Sequence, residues 1–221
     1  MEKVFITTSD NVKIAANYFT VDKNKYENPS GWAVFCHMMP ATKESWVDLA
    51  SELQNAGYEG IAIDLRGHGE SDGGPGGYRD FSAEEHQKSV LDIQAAIDFL
   101  KAKGASPGET ILIGASVGAN LSLQYAANHR EIKNIILFSP GLNYENIETE
   151  PMANKLKDGQ KIFFIGSEDD DLNSEQIQKL FELTPPNIKK EIKIYAAGGH
   201  GTNILVSHPE IKDSIIEFIK V

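Results

Sequence analysis

The sequence predicts an α/β fold, with a mainly parallel sheet of about eight strands and helices on both faces. Three observations carry this. Short apolar runs alternate with amphipathic, helix-length segments along nearly the whole chain. Several of those runs, such as WAVFC, TILIG and NIILF, are continuously apolar instead of alternating, as strands buried on both faces must be. The chain has 221 residues, enough for one large domain, and no Pro-, Gly- or Ser-rich linker divides it. A single domain spanning 1–221 is therefore expected.

The elements follow in order. Residues 3–8 and 12–21 read as two strands joined at Ser9-Asp10-Asn11, with no helix between them, so they form an antiparallel hairpin. Residues 32–36 are a buried strand. Residues 43–56 have helical spacing through Trp46, Leu49, Ala50 and Leu53 and stop at Gly57. Residues 60–64 form the next strand, followed by a Gly-rich loop to about Tyr78. A long helix is predicted over 82–103, opened by Ser82 with Glu85 three residues on and closed by Gly104. Strand 110–114, a helix at about 117–128, strands 134–138 and 161–165, helix 174–182, strand 190–196 and a helix from about 208 complete the pattern.

Composition narrows the function. The net charge of −11 argues against binding a phosphate backbone, which needs clustered Lys and Arg. The lone cysteine, Cys36, cannot form an internal disulfide. The N-terminal stretch lacks the pattern of a secretory leader, and no run reaches the ~18 apolar residues of a membrane span. The expectation is a cytoplasmic enzyme acting on a small molecule. The six histidines have no metal-ligand spacing, so neither a metal nor a cofactor is expected.

Gly114-Ala115-Ser116-Val117-Gly118 matches G-x-S-x-G, at the end of an apolar strand and the start of a helix. In so tight a turn a side chain at either glycine would strike neighbouring backbone, while Ser116 is pushed out at the sheet's end. A dinucleotide-binding loop fits less well, because Asn120 stands where its last glycine would be. A serine nucleophile needs a base. His200 lies in Ala196-Ala197-Gly198-Gly199-His200-Gly201, directly after the last predicted strand. The imidazole in turn needs a carboxylate. Glu168, Asp169, Asp170 and Asp171 follow a strand and fall between Ser116 and His200, in the chain order Ser, acid, His.

With these segments the sequence resembles the α/β-hydrolase superfamily over nearly its whole length. His37-Met38-Met39-Pro40 is similar to that family's oxyanion loop. Asp64-Leu65-Arg66-Gly67-His68-Gly69-Glu70-Ser71 is similar to the D-x-R-G-H-G-x-S segment of esterases and lysophospholipase-like proteins. The resemblance implies Asp169 as the acid, three residues past Gly166, with Leu172 as the apolar residue beyond it and Asp170 or Asp171 as alternatives. It implies an oxyanion hole of the Met39 and Val117 N–H groups, and structural roles for His37, His68 and Asp64. The chain departs from the family at Met38, which replaces a glycine, and at Val117, which is β-branched.

Only about twenty residues separate Pro140 from Lys161, too few for a two-helix cap. A lidless site is expected, with Met38 and Tyr78 as apolar lining. Glu145, Glu148, Glu150, Glu168, Asp170 and Asp171 would disfavour anionic substrates if they rim it. The activity this implies is hydrolysis of carboxylic esters with small or medium acyl groups, through an acyl-enzyme. Thioester, amide or lysophospholipid cleavage would use the same groups, and a non-catalytic binding protein of the same fold is the reading from another class.

Overall fold

The computed structural model describes residues 1–171 and 173–220, so Leu172 lies outside the described residues. Eight strands form one sheet: β1 (Glu2–Thr7), β2 (Lys13–Phe19), β3 (Gly31–Cys36), β4 (Tyr58–Ile63), β5 (Thr110–Ala115), β6 (Asn134–Phe138), β9 (Lys161–Ser167) and β10 (Lys189–Tyr195). Their order across the sheet is β1-β2-β4-β3-β5-β6-β9-β10. The β1–β2 and β2–β4 pairings are antiparallel, as the hairpin reading requires, and the rest are parallel.

Alternation along the central strands divides the core between the two faces. In β3, Trp32, Val34 and Cys36 pack on one face, with α3 (Val90–Ala102), α4 (Val117–Asn128) and α6 (Asn173–Leu183). Ala33 and Phe35 point to the other, with Trp46, α1 (Val47–Asn55) and α8 (Ile211–Lys220). Both faces are dry, so no position of β3 or β5 is exposed. That is why these strands read as unbroken apolar runs.

Two expectations about elements are corrected. Residues 43–46 are a 3-10 turn ahead of α1, not part of it. The long helix over 82–103 is two helices, α2 (Ala83–Gln87) and α3. The capping box on Ser82 and Glu85 is present, but the ladder tightens at the junction. Ser89, Leu91 and Asp92 donate to carbonyls three residues back. The break lets buried Asp92 take the Arg66 guanidinium and the Arg66 N–H. The segment after β6 holds a small antiparallel hairpin, β7 (Asn143–Tyr144) and β8 (Ile147–Glu148), followed by α5 (Glu150–Lys155). A further short helix, α7 (Asn203–Ser207), follows the glycines after β10.

The strand order sets the site's position. From β3 the chain moves one way to β4 and then returns on the other side to β5. A crevice opens beyond the carboxyl ends of strands where the order reverses in this way. The segments leaving β3 and β5 begin with His37 and Ser116.

Candidate active site

Ser116 directly follows β5 with φ 54° and ψ −122°, a positive-φ conformation that costs a non-glycine residue about 1–3 kcal/mol. The glycines around it make the turn possible. A Cβ on Gly114 would lie 2.3 Å from the Gly118 carbonyl oxygen, and one on Gly118 would lie 2.4 Å from that of Cys36. These are backbone atoms and cannot yield. The close approach at Gly118 also draws the start of α4 against the end of β3, so the Val117 N–H sits beside the loop carrying Met39. Neither the Met39 nor the Val117 N–H has a protein acceptor among the described residues. Both donors are available to a ligand oxygen.

The loop after β3 is braced from below. The buried Lys43 ammonium donates to Asp64 Oδ2 (2.8 Å) and Glu70 Oε2 (2.9 Å), and the Lys43 N–H donates to Asp64 Oδ1 (2.8 Å). Asp64 is fully buried, so losing a partner here would strand a charge at a cost of about 3–5 kcal/mol. His37 is also wholly buried. Its Nε2 accepts the Leu65 N–H (3.0 Å) and its Nδ1 donates to the Met38 carbonyl (2.9 Å). Burial, helped by neighbouring His68, holds its pKa down at about 4, so the ring is neutral. His68 lies edge-on to His37 and is likewise pushed down by burial.

His200 is partly exposed, and three polar side chains fix its loop. Asp169 accepts the Gly198 and Gly199 N–H groups (both 3.0 Å), Ser167 donates to the Gly199 carbonyl (2.7 Å), and the Gly201 N–H donates to Ser139 Oγ (2.9 Å). A Cβ on Gly201 would lie 3.5 Å from the Cβ of Ala115, so the loop rests directly beside the Ser116 turn.

The carboxylate facing His200 is not Asp169 but Asp170. Asp170 Oδ2 accepts from His200 Nδ1 at 2.7 Å. Asp169 spends both oxygens on backbone amides, and the Ser167 hydroxyl with those two N–H groups keeps it below the usual carboxylate range. The reason lies in the strand. β9 continues through Ser167, which pairs with Tyr195, so counting from Gly166 starts one residue early. Three residues past Ser167 is Asp170. With Nδ1–H held by Asp170, the proton-accepting lone pair of the neutral ring is on Nε2.

Met38 and Tyr78, the expected lining residues, each pack against a neighbouring loop residue. Met38 packs against Gly201, with its Sδ in the space a side chain there would fill. Tyr78 is stacked on the His68 ring, with centroids 4.0 Å apart. Of the acidic residues expected to rim the site, Glu150 pairs with Lys179.

The side chain that sequence reasoning missed is Tyr144. Its ring meets His200 edge-on, with centroids 6.2 Å apart. Its hydroxyl accepts from Asn173 Nδ2 at 3.3 Å and neighbours the Ser116 hydroxyl. Asn120 on α4 holds the hairpin at two points: its Oδ1 accepts the Gly141 N–H (3.1 Å), and its Nδ2 donates to the Ile147 carbonyl (3.0 Å). Two-residue strands have no periodicity for a sequence reading to detect.

A mainly parallel eight-stranded sheet with a strained serine turn at its carboxyl edge and an Asp-His pair beside it defines an α/β hydrolase. Residues 27–161 match the family described as "Serine aminopeptidase, S33", and the chain belongs to that family. The match takes in the Ser116 turn and stops before Asp170 and His200. An AB hydrolase superfamily protein of Bacillus subtilis, YisY, is 30% identical over 108 residues, which is 48% of this chain but only 36% of that relative's length. Among solved structures, the esterase Pf2001 of Pyrococcus furiosus superposes with a TM-score of 0.78 at 21% identity, covering 99% of this chain and 89% of that one. Est1E of Butyrivibrio proteoclasticus, solved with ferulic acid bound, gives 0.79 at 17% identity and covers 98% of each chain. These structural likenesses speak to the fold. No helix among the described residues is long and apolar enough to cross a membrane.

Proposed function

We propose that this protein is a serine hydrolase that cleaves carboxylic esters of small or medium acyl size. The observation that carries the reading is the 2.7 Å contact between His200 Nδ1 and Asp170 Oδ2, in a loop packed against the strained turn of Ser116. In this mechanism Ser116 Oγ attacks the ester carbonyl and passes its proton to His200 Nε2. The Met39 and Val117 N–H groups receive the developing oxyanion, an effect worth about 3–4 kcal/mol per donor in enzymes of this kind. As the tetrahedral intermediate collapses, the carbonyl–alkoxy bond breaks and the alcohol leaves with the proton from His200. Water, deprotonated by the same imidazole, then releases the acid. Among the described residues no two-helix cap covers this edge, which supports an open site for small, soluble esters. The esterases among the similar structures support the same substrate class.

The test is labelling with a fluorophosphonate probe alongside turnover of a nitrophenyl-ester panel. Wild-type protein should label and turn over short acyl esters, and Ser116→Ala should do neither. Labelling that persists in Ser116→Ala would refute the assignment, and turnover confined to thioesters or anilides would move the substrate class.

A further inference from the structure

Three groups beside Ser116 are accounted for by the reaction above: the imidazole of His200 and the two backbone donors. The phenol of Tyr144 is a fourth polar group at the same point. Its position is built by three elements. Asn120 of α4 ties down both sides of the hairpin that carries it. From α6, Gln176 accepts the Leu142 N–H (2.8 Å), and Asn173 donates to the phenol oxygen. The ring lies flat on Gly141, where any Cβ would come within 2.5 Å of it. A packing tyrosine would not need its hydroxyl held by a buried amide.

We propose that Tyr144 is a catalytic residue that donates a hydrogen bond to the departing alkoxy oxygen, which suits the site to esters of poorly leaving aliphatic alcohols. The inference rests on the ester-hydrolase reading. The geometry supports it in two ways. Because the Asn173 amide occupies a lone pair of the phenol oxygen, the phenol's own proton is free to point at Ser116 and whatever is bonded to it. The phenol's ring also meets the His200 imidazole edge-on, with centroids 6.2 Å apart. The alkoxy oxygen must come up to that imidazole to receive the proton from Nε2. Burial first, and the charge of Asp170 second, push the Tyr144 hydroxyl up to about 12, so it keeps its proton at working pH. The balance of the step is unchanged. The carbonyl–oxygen bond breaks, its electron pair goes to the alkoxy oxygen, and the proton that oxygen gains comes from His200 Nε2. Tyr144 shares its proton without giving it up.

The experiment measures kcat/KM, which reports steps up to acyl-enzyme formation, for esters of one acyl group with alcohols from nitrophenol to ethanol. Tyr144→Phe keeps the ring on Gly141 and removes only the hydroxyl. The expected result is little change for the nitrophenyl ester and a loss of about ten- to a hundredfold for the ethyl ester, because charge on the leaving oxygen needs stabilising only when the alcohol is a weak acid. Asn173→Ala, which frees the phenol to turn away, should give a smaller loss with the same dependence on the alcohol. An equal loss for every ester, or none for any, overturns the proposal. Ser116→Ala run alongside separates two failures. Cleavage that survives it refutes the nucleophile and this inference with it, whereas cleavage abolished by it, with a uniform Tyr144→Phe effect, refutes the role of Tyr144 alone.

Discussion

Replacing Asp170 by Asn, with Asp169→Asn as its partner, distinguishes two neighbouring carboxylates that the structure assigns to different work. Asp170 Oδ2 stands 2.7 Å from His200 Nδ1, which puts the centres of the carboxylate and a protonated ring about 4 Å apart. At the effective dielectric of a partly solvated site, that pair is worth about 4 kcal/mol, or about a thousandfold in rate. The side chains are 32% and 13% exposed, so water reaches the imidazole more than the acid, and the near-surface dielectric of about 20 applies instead of the far lower value of a dry interior. A second loss adds to the first. The Asn amide can present its NH₂ to Nδ1, which would leave the ring proton on Nε2 and remove the base. Together the two effects predict a fall in kcat of about 10³ to 10⁴, with KM nearly unchanged. Asp169→Asn keeps one oxygen to accept a backbone N–H. Its loop stays in place and kcat falls far less. Steady-state turnover of a nitrophenyl ester, with circular dichroism to show both variants folded, decides the matter. An inactive Asp169→Asn beside an Asp170→Asn within about tenfold of wild type would refute the assignment.

Two further perturbations probe what holds the site together. Gly118→Ala must push apart the start of α4 and the end of β3, because its Cβ would sit 2.4 Å from one carbonyl oxygen and 2.6 Å from the next; chemical denaturation should show a loss of about 1–3 kcal/mol, and kcat should fall as the Val117 N–H moves away from Met39. His37 has an ordinary pKa of 6.5 and is held by burial at about 4, so below 6.5 the unfolded chain takes a proton that the folded one refuses; stability should drop as pH falls from 6.5 to 4, and urea titrations in which His37→Gln leaves that slope unchanged would contradict it.

The division between what the residues disclose and what they do not follows from how far each feature depends on distant parts of the chain. The strands of the sheet centre were readable because burial on both faces demands unbroken apolar runs. Ser116 was readable because the strand-to-helix turn needs Gly114 and Gly118 within the same five residues. The choice between Asp169 and Asp170 was not. It turns on whether β9 ends at Gly166 or Ser167, and that is set by pairing with Tyr195 on β10, about thirty residues on in sequence. The break between α2 and α3 is similar. A capping box and helical spacing promise one helix, but the ladder yields at Ser89, and the reward is the Arg66–Asp92 contact with a loop outside the helix.

Tyr144 shows the same limit from the side of function. Nothing in GLNYENIE marks a residue of the site, since two strands of two residues leave no pattern. Its place is decided by Asn120, a residue that in the sequence only spoiled a glycine motif. In the folded chain Asn120 lies one turn beyond Ser116 on α4, fully buried, with its amide reaching the hairpin at Gly141 and Ile147. A buried amide left without those partners would cost about 1–3 kcal/mol, so the helix that starts after Ser116 and the β7–β8 hairpin hold each other in register. Ser116 and the phenol of Tyr144 are thus positioned from the same helix, although almost thirty residues separate them in the chain.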